Sequence, residues 1–429
     1  MTETVYPARL AGNIQAPASK SHTIRAILIA SLAHGVSRID HPLESEDAAS
    51  CIMTCRALGA EIVETDRDAL LVTGTGGTPI ASGDANHPID VGNSGTTLFL
   101  AMGTAALAAG MTYFTGDEQI RRRSAANLLA ALEDLGASAY SVSGEGFAPL
   151  AVGGGLKGGT THIECPTSQY LSSLLLACPL AEADSEIHLP LLWERPYVEM
   201  TLWWLDRQGI RYEREGYDRF RVSGGQRYES FRTDVPGDYS SATFLFVGAA
   251  VTGGTVTVSE IHPDDPQGDR AVLDMLEELG CTVSWPRPRS VTVTGPGYGA
   301  MSGGTFDLNA TPDALPALAV AGAACRQPLH LTNVPQARHK ETDRVAVMCE
   351  ELSKLGIHTE GHEDGMTVHP GRIAGGSVSG HGDHRIVMAL AIAGLAASGA
   401  VHIDDAERAA VTFPGFFDSI RALSAKNSA

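Results

Sequence analysis

The strongest constraint on the fold is a motif that recurs six times along the chain. Each copy begins with a small polar cluster, continues through an Ala-rich apolar stretch and ends in a β-branched segment, as in 93-NSGTTLFLAMGTAALAAGMTYF. The residues that head the copies are spaced by 74, 74, 71, 74 and 71 positions; they are Lys20, Ser94, Ser168, Tyr239, Asp313 and His384. A period of this length indicates six similar units of strands and helices.

A second element lies between these copies and has the pattern of an amphipathic helix that ends at a glycine. In 132-LEDLGASAY and 276-LEELGCTVSW a short strand pattern follows the glycine. Glycine is favoured there because it adopts the left-handed conformation that closes a helix. The sequence predicts such helix ends at five positions: Gly59, Gly136, Gly209, Gly280 and Gly356.

The Ala-rich helices predict where the core lies. A helix that is apolar on all sides has to be buried, and six of them in 429 residues suggest two globules of three helices each. The half-way point falls near the Pro-Gly step of 235-VPGDYSS. We therefore expect an α/β fold with sheets outside and helices within. The polar clusters would lie at the amino ends of the buried helices, where free backbone N–H groups attract anions.

Composition excludes several classes of protein. The formal net charge of -19 and the pI of 5.2 disfavour general binding to nucleic acid or to anionic membranes. No signal-peptide pattern opens the chain, and the longest apolar stretch, residues 386–401, is too short to span a bilayer. Cys51 and Cys55 lie close together, but nothing nearby completes a zinc site. We expect a cytoplasmic protein without a metal site.

One segment, 337-ARHKETDRVAVM-348, concentrates charges of both signs at the start of a helix. Lys340 and Arg344 are four residues apart and project from one face, with Glu341 beside them. A solvated, salt-bridged helix start accounts for this pattern. The alternative is a local cationic pocket, which an acidic protein needs if it handles an anionic ligand.

Eight motifs in step with the repeat favour the pocket. They are 17-PASKSHTIR, 92-GNSGTT, 116-GDEQIRRR, 167-TSQYL, 196-PY, 311-TPD, 340-KETDR and 383-DHR. Together they resemble the motifs of the 5-enolpyruvylshikimate-3-phosphate synthases, a family of enolpyruvyl transferases. The resemblance implies a two-domain inverted (inside-out) α/β barrel of six βαβαββ repeats. It implies domains at 18–236 and at 1–17 with 237–429, an active site in the cleft between them, and a monomer.

The resemblance also implies roles for individual residues. Residues that match the binding set for phosphoenolpyruvate are Lys20, Asn93, Gly95, Thr96, Arg123, Gln169, Arg344, His384 and Arg385. Residues that match the binding set for a phosphorylated acceptor are Ser21, Arg25, Thr167, Ser168, Tyr197, Asp313, Gln336 and Lys340. Residues with implied catalytic roles are Lys20, Asp313 and Glu341. No metal or cofactor is implied. Arg25 also fits a solvated cation, and His384 and Tyr197 also fit structural side chains.

These residue types suit the implied chemistry. Phosphoenolpyruvate carries a carboxylate and a phosphate, and guanidinium groups bind such oxyanions through paired hydrogen bonds. The acceptor hydroxyl loses a proton as it attacks the enol, while the methylene carbon gains one, so both a base and an acid are required. Asp313 is expected to accept the first proton, and Glu341 or Lys20 to donate the second.

Four positions depart from the family pattern. Val411 and Phe99 stand where the family has Lys and Arg, and Gln336 where it has Asn. Glu194 replaces a Ser that contributes to the acceptor's phosphate site. Two unit charges about 4 Å apart repel by roughly 4 kcal/mol at an effective dielectric of about 20. We therefore expect Glu194 to point away from a phosphate or to face an acceptor that lacks one.

Three functions stay open at this point. The first is transfer of the enolpyruvyl group to shikimate 3-phosphate. The second is transfer to a different alcohol, such as a nucleotide, a sugar acid or an unphosphorylated cyclitol. The third is a non-catalytic homologue that still binds anions, which the presence of both an acid and a base disfavours.

Overall fold

The computed structural model describes residues 1–65 and 68–425, and in these ranges no helix is long and apolar enough to cross a membrane. The strands of this part of the chain, numbered in order, are β1 (Glu3–Val5), β2 (Gly12–Gln15), β3 (Val36–Asp40), β4 (Glu61–Thr65), β5 (Ala69–Thr73), β6 (Ile89–Asp90), β7 (Met111–Thr115), β8 (Ser138–Ser141), β9 (Leu150–Gly153), β10 (Gly159–Cys165), β11 (Ser185–Leu192), β12 (Tyr212–Glu215), β13 (Arg219–Val222), β14 (Arg232–Asp234), β15 (Thr255–Ser259), β16 (Thr282–Arg287), β17 (Ser290–Thr294), β18 (Gly304–Asp307), β19 (Leu329–Thr332), β20 (Thr359–His362), β21 (Gly365–Val368), β22 (Gly376–Ser379) and β23 (Val401–Asp404).

The α-helices are α1 (Lys20–Leu32), α2 (Glu46–Ala57), α3 (Gly95–Ala106), α4 (Ala126–Asp134), α5 (Ser168–Ala177), α6 (Arg195–Arg207), α7 (Tyr239–Thr252), α8 (Ala271–Glu278), α9 (Leu315–Ala323), α10 (Arg344–Lys354), α11 (His384–Ala396) and α12 (Phe416–Ala425). Short 3-10 helices cover Ile120–Arg122, Cys178–Leu180, Gly268–Arg270, Pro312–Ala314, Pro335–His339 and Ala406–Val411.

The chain forms two compact units. The N-terminal unit is Ala18–Val235, and the C-terminal unit is Met1–Pro17 with the described residues from Pro236 onward. The chain therefore passes from one unit to the other twice, after residue 17 and after residue 235.

One strand arrangement recurs in the sheets of both units. The strand orders in the N-terminal unit are β14-β3-β5-β4, β6-β7-β9-β8 and β10-β11-β13-β12, and in the C-terminal unit β16-β17-β15-β2, β18-β19-β21-β20 and β1-β23-β22. In β6-β7-β9-β8, for example, β6 and β7 are parallel and the other pairs are antiparallel. The predicted α/β fold of six repeats is confirmed.

Two edge strands are exchanged between repeats. In the standard repeat, the strand before a buried helix pairs in parallel with the strand after it, as β6 and β7 do around α3. In contrast, β2 precedes α1 but pairs with β15, which follows α7. Likewise β14 precedes α7 but pairs with β3, which follows α1. Each exchange occurs where the chain changes unit, so a sequence-distant strand completes one sheet in each.

Six helices make up the centres of the two units: α1, α3 and α5 in the N-terminal unit, and α7, α9 and α11 in the C-terminal unit. Nearly every residue of these helices is buried. In the C-terminal unit α7, α9 and α11 pack against one another, and in the N-terminal unit α3 packs against both α1 and α5. Some strands alternate buried and exposed residues, as in β10, while β9 and β21 are buried throughout. Each unit thus has helices within and sheets outside, as predicted.

Polar side chains cap the amino ends of five of these helices. Each accepts a hydrogen bond from a backbone N–H of the first turn; they are Ser19, Ser94, Thr167, Asp238 and Asp383. The helix α9 begins instead directly after the 3-10 helix Pro312–Ala314. Many of the candidate site residues lie at or next to these helix ends, where orphan N–H groups need partners. Lys340 and Glu341 instead precede α10, and Arg344 begins it.

The predicted glycine helix ends are confirmed. The φ angles of all five glycines lie between 67° and 102°. In each case the following residue donates its N–H to a carbonyl five residues earlier, as Ala60 does to Cys55. This is the Schellman closure, which ends the outer helices and directs the chain into the next strand.

Candidate active site

A fully buried arginine is the centre of the candidate site in the C-terminal unit. Arg344 begins α10 and donates from Nε to Asp383 at 2.8 Å. Its Nη1 donates to Asp313 at 2.7 Å, and its Nη2 donates to Glu341 at 2.5 Å. The carboxylate of Asp383 also caps α11 by accepting the N–H of Arg385. The two carboxylates expected to act as base and acid, Asp313 and Glu341, are therefore held on one guanidinium.

Asp313 is bridged between two arginines. Its second oxygen lies 2.8 Å from Nη2 of Arg385, which is also buried. Burial alone would raise the pKa of the Asp313 carboxyl, but Arg385, Lys340 and Arg344 together hold that pKa well below its usual range. Asp313 is therefore ionised at neutral pH, as a proton acceptor has to be. Conversely, the carboxylates raise the pKa of Arg344 above its usual value, against the effect of burial.

Asp269 is a neighbouring carboxyl that none of the sequence motifs indicated. It is 3% exposed, and its Oδ2 accepts a hydrogen bond of 2.6 Å from Ser240 Oγ. Burial and then the charge of Asp313 raise the pKa of Asp269 to about 6. Burial is the larger cause of this raised pKa. The charge count acts in the same direction, because the four carboxyl groups of Asp269, Asp313, Glu341 and Asp383 outnumber the three cations Lys340, Arg344 and Arg385.

The other predicted residues of the C-terminal unit lie close in sequence to Arg344 or to Arg385, and two of them, Gln336 and His384, are buried. Gln336 lies in the 3-10 helix Pro335–His339 and donates from Nε2 to the carbonyl of Asn309 at 3.1 Å. His384 begins α11, is 3% exposed, and has its Nδ1 4.0 Å from Asp383. Lys340 follows the 3-10 helix and is close enough to Asp313 to lower its pKa.

The amino end of α3 gathers several predicted donor-binding residues in the N-terminal unit. Nδ2 of Asn93 donates to Asp117 and to Gln119, each at 2.6 Å. Nε2 of Gln169, at the start of α5, donates to Thr96 Oγ1 at 3.1 Å. The amino ends of α3 and α5 are thereby linked side chain to side chain.

Arg123 lies directly against Gly95, the first residue of α3. A Cβ atom added to Gly95 would lie 2.6 Å from Nη1 of Arg123, well inside van der Waals contact. Glycine is therefore required for this approach. The guanidinium and the helix amino end both attract anions, so their proximity makes this corner suitable for an oxyanion.

Lys20 is joined to the same region through a carboxylate. It begins α1, and its Nζ lies 3.0 Å from Oδ2 of Asp47. The backbone carbonyl of Asp47 in turn accepts a hydrogen bond of 3.4 Å from Thr97 Oγ1 in α3. Asp47 was not among the predicted site residues, although its place in the first turn of α2 is visible in the sequence.

Arg25 contacts two of the other predicted acceptor-binding residues of this unit, Ser21 and Tyr197, through their backbone carbonyls. Its Nε donates to Thr201 Oγ1 at 2.9 Å, and its Nη1 donates to the carbonyl of Ser21 at 3.2 Å. Its Nη2 donates to the carbonyl of Tyr197 at 3.0 Å and to Ser172 Oγ at 3.3 Å. Burial lowers the pKa of Arg25 to about 10. The alternative of a solvated Arg25 is therefore wrong, since its side chain is buried.

Glu194 does not point away from the predicted acceptor-binding residues. Its Oε2 accepts from the backbone N–H of Ser168 at 3.2 Å, from Ser168 Oγ at 3.0 Å and from Thr167 Oγ1 at 3.3 Å. Glu194 is 2% exposed and has left-handed backbone angles, φ 58° and ψ 41°. A buried carboxylate therefore occupies the amino end of α5.

Two other departures from the family pattern are core side chains. Phe99 is 3% exposed and packs edge to face against Tyr170, with 5.2 Å between the ring centroids. Val411, at the end of the 3-10 helix Ala406–Val411, is 8% exposed. Hydrophobic packing thus occupies both positions where the resemblance would place a cation.

The structure thus brings the predicted residues together within each unit. Asp313, Glu341, Lys340, Arg344 and Arg385 form one cluster in the C-terminal unit. In the N-terminal unit, Arg25 and Glu194 organise the acceptor set, while the donor set lies at the amino ends of α1, α3 and α5. That the two sets share one cleft stays a prediction. Motif matching missed the partners that position these groups; they are Asp47, Asp117, Gln119, Ser172, Thr201 and Asp269.

Comparison with known proteins agrees with this organisation over the whole chain. The family model for EPSP synthase (3-phosphoshikimate 1-carboxyvinyltransferase) matches residues 5–420. The chain belongs to the EPSP synthase family. It is 48% identical over 421 residues to the 3-phosphoshikimate 1-carboxyvinyltransferase of Acetivibrio thermocellus, covering 98% of each chain. It is 43% identical over 418 residues to the enzyme of that name from Methanocella arvoryzae, covering 97% of each.

A solved EPSP synthase, from Acinetobacter baumannii, is similar in structure. The TM-score is 0.82 at 27% identity, over 99% of this chain and 98% of that one. The two-domain inverted α/β barrel predicted from the motifs is the fold of the EPSP synthase family. Membership of the family also makes the chain an enzyme, a transferase of the 1-carboxyvinyl (enolpyruvyl) group. The third alternative, a non-catalytic anion-binding homologue, is therefore set aside.

Proposed function

We propose that the chain transfers the enolpyruvyl group of phosphoenolpyruvate to a hydroxyl of shikimate 3-phosphate, releasing phosphate, as a step in the biosynthesis of aromatic amino acids. Its similarity to 3-phosphoshikimate 1-carboxyvinyltransferases over nearly their full length supports this acceptor. No cofactor or metal has a role in the proposed steps.

The observation that carries the proposal is the arrangement around Arg344. Its guanidinium holds Asp313 and Glu341 through separate nitrogens, at 2.7 and 2.5 Å. A transfer of this kind needs one group to take a proton and another to give one, both fixed relative to the reacting atoms. Asp313 and Glu341, held on one buried cation, can supply the group that takes a proton and the group that gives one.

In the proposed mechanism the acceptor oxygen attacks C2 of phosphoenolpyruvate and its proton passes to Asp313. The methylene carbon C3 takes a proton from Glu341 or Lys20, which gives a tetrahedral adduct. The bond from C2 to the phosphate oxygen then breaks, C3 returns its proton, and the double bond re-forms in the product. Arg344 and Arg385 would stabilise the negative charge of the departing phosphate.

The residues of the N-terminal unit would bind and orient the two substrates. The corner formed by Gly95 and Arg123 would take an oxyanion of phosphoenolpyruvate, together with Thr96 and Gln169. Ser21, Arg25, Thr167, Ser168 and Tyr197 would hold the acceptor, with Lys340 and Gln336 from the C-terminal unit. Asn93 and His384 would contact the donor.

A second acceptor class is favoured by one observation, the buried carboxylate of Glu194 at Thr167 and Ser168. A negative charge there opposes a phosphorylated acceptor. An unphosphorylated cyclitol, a sugar acid or a nucleotide as acceptor is therefore the alternative within the same reaction.

The test is to incubate the purified chain with phosphoenolpyruvate and shikimate 3-phosphate, and to follow phosphate release together with formation of the enol ether. Asp313→Asn and Glu341→Gln are expected to reduce the rate at least a hundredfold. Asp274→Asn changes an exposed carboxylate of the same unit and serves as the matched control.

Release of phosphate only with another alcohol would replace shikimate 3-phosphate as the acceptor. An unchanged rate in Asp313→Asn or in Glu341→Gln would remove that residue from the mechanism. Far-UV circular dichroism of each variant separates a lost function from a lost fold.

We also infer that the chain works as a monomer in the cytoplasm and binds neither membranes nor nucleic acid. The net charge of -19 supports the last two points. Sedimentation equilibrium of the full chain tests the oligomeric state, and a stable dimer would contradict the proposal.

A further inference from the structure

We propose that Glu194 is a specificity-determining residue that places a resident carboxylate where the phosphate of a phosphorylated acceptor would bind, and so weakens binding of such acceptors. The proposal rests on the proposed function, in which Thr167 and Ser168 bind the acceptor. It concerns affinity for the acceptor and leaves the chemistry of transfer unchanged.

The amino end of α5 is built to bind an anion, and Glu194 occupies it. The helix is ten residues long and largely buried, so its first backbone N–H groups need acceptors within the protein. Glu194 Oε2 takes the N–H and the hydroxyl of Ser168 and the hydroxyl of Thr167. Three hydrogen bonds converge on one carboxylate oxygen, as they would on a phosphate oxygen.

The backbone holds Glu194 in this place. Its φ of 58° is in the left-handed region, which a residue with a side chain adopts only when its surroundings enforce it. The residue immediately precedes α6, and its carbonyl accepts the N–H of Tyr197 at 3.1 Å. Tyr197 in turn is tied to Arg25 through its own carbonyl. Glu194 is therefore part of the same rigid junction as the proposed acceptor-binding residues.

An acceptor phosphate that reached Thr167 and Ser168 would compete for the same donors. It would also meet the carboxylate at contact distance, in a buried place where charge repulsion is only weakly screened. Binding then requires either that Glu194 is displaced from its hydrogen bonds to Thr167 and Ser168, or that the acceptor binds with its phosphate away from these two residues. A neutral hydroxyl or a cationic group on the acceptor meets no such opposition.

The experiment measures equilibrium binding of shikimate 3-phosphate and of unphosphorylated shikimate by isothermal titration calorimetry. It compares the wild-type chain with Glu194→Gln, which keeps the shape and removes the charge, and Glu194→Ser, which also removes the bulk. Glu213→Ser removes an exposed carboxylate of the same unit and is the matched control.

Both Glu194 variants are expected to bind shikimate 3-phosphate at least tenfold more tightly than the wild-type chain, with no comparable gain for shikimate. The control should bind both compounds as the wild-type chain does. Unchanged or weaker binding of shikimate 3-phosphate by both variants would overturn the proposal, since the carboxylate would then not oppose the phosphate. No binding of shikimate 3-phosphate by any of the proteins would overturn it as well.

Turnover distinguishes this inference from the proposed function. Wild-type turnover of shikimate 3-phosphate supports the function whatever the variants do. Tighter binding by the variants without turnover by any protein would support the role of Glu194 and contradict shikimate 3-phosphate as the acceptor.

Discussion

Arg25 in the N-terminal unit and Arg344 in the C-terminal unit are both fully buried arginines on helices, and their surroundings are opposite. Arg25 donates to hydroxyls and to backbone carbonyls, and burial lowers its pKa to about 10. Arg344 donates to three carboxylates, which raise its pKa above the usual value. The same side chain therefore serves two different purposes in the two units.

The difference indicates how each unit would treat an anionic substrate. The hydrogen-bond partners of Arg25 are neutral, and none of them is a carboxylate that would compensate its charge. An anion that binds nearby would therefore be attracted by the positive charge of the guanidinium. Arg344 already has its charge compensated, so its main effect is to fix the positions and charges of Asp313 and Glu341. Binding would thus depend more on Arg25, and chemistry more on Arg344.

The largest expected effect that tests this comparison is on stability. Arg344→Met keeps much of the volume but removes the cation that Asp383, Glu341 and Asp313 share, and it leaves the buried carboxylate of Asp383 without this ion pair. The loss costs about 3–5 kcal/mol in the free energy of unfolding. Urea denaturation at pH 7 measures it. Arg421→Met, which removes the ion pairs of an exposed arginine with Asp418 and Glu3, should change the same quantity by less than about 1 kcal/mol. An Arg344→Met chain as stable as the control would show that these ion pairs contribute little.

The second prediction concerns pH and separates Asp269 from Asp313. The pKa of Asp269 is raised in the folded chain to about 6, so its stabilising contribution is complete below pH about 4 and is lost as the pH rises through about 6. The pKa of Asp313 is lowered, so its contribution is present above pH about 4 and is lost as the pH falls below that. The two groups therefore act in separate ranges of pH.

Asp269→Asn is expected to remove the loss of stability between pH 4 and 6, leaving the variant more stable than the wild-type chain at pH 7 by up to about 3 kcal/mol. Urea denaturation at a series of pH values measures the difference between the two chains. Asp274→Asn, an exposed carboxylate, should follow the wild-type curve. A difference between Asp269→Asn and wild type that is constant from pH 4 to 7 would contradict the raised pKa.

The sequence predicted the features of the two units that depend on local sequence pattern. Apolar periodicity indicated the six buried helices, and the position of Gly136 or Gly280 after an amphipathic run indicated the left-handed helix ends. The exchange of β2 and β14 could not be read from such patterns, because strand pairing depends on packing between distant segments. The partners of Arg25 illustrate the same limit, since Thr201 lies 176 positions away.

Glu194 shows why a motif match predicts a residue's place better than its role. Alignment with the Pro-Tyr motif indicated that Glu194 lies near the acceptor-binding residues. Whether its carboxylate points toward Thr167 or away depends on a left-handed backbone angle and on the packing of α6, which no local pattern encodes. Similarly, the three carboxylates on Arg344 come from separate segments, and only Glu341 lies within one helical turn of it.

A third, smaller effect tests the anion corner beside Arg123. In Gly95→Ala the new Cβ would lie only 2.6 Å from Nη1 of Arg123, so the guanidinium has to move away from α3. We expect the KM for phosphoenolpyruvate to rise about tenfold, which corresponds to about 1.4 kcal/mol of lost binding. Gly304→Ala, where the added Cβ meets open space, is the control. An unchanged KM in Gly95→Ala would mean that Arg123 does not bind the donor.

The smallest expected effect on stability comes from Arg25→Met, and it tests the comparison directly. The hydroxyl of Thr201 lies 2.9 Å from Ser172 Oγ and 3.0 Å from the carbonyl of Tyr197 and can donate to either, so this part of the network stays hydrogen-bonded without the guanidinium. Removing a desolvated cation offsets the bonds that are lost, and the free energy of unfolding should change by less than about 1 kcal/mol. Affinity for shikimate 3-phosphate, measured by calorimetry, should nevertheless fall at least tenfold, because the uncompensated charge is gone. A large loss of stability with unchanged affinity would mean that Arg25 has the same structural role as Arg344, and the contrast between the two units would not hold.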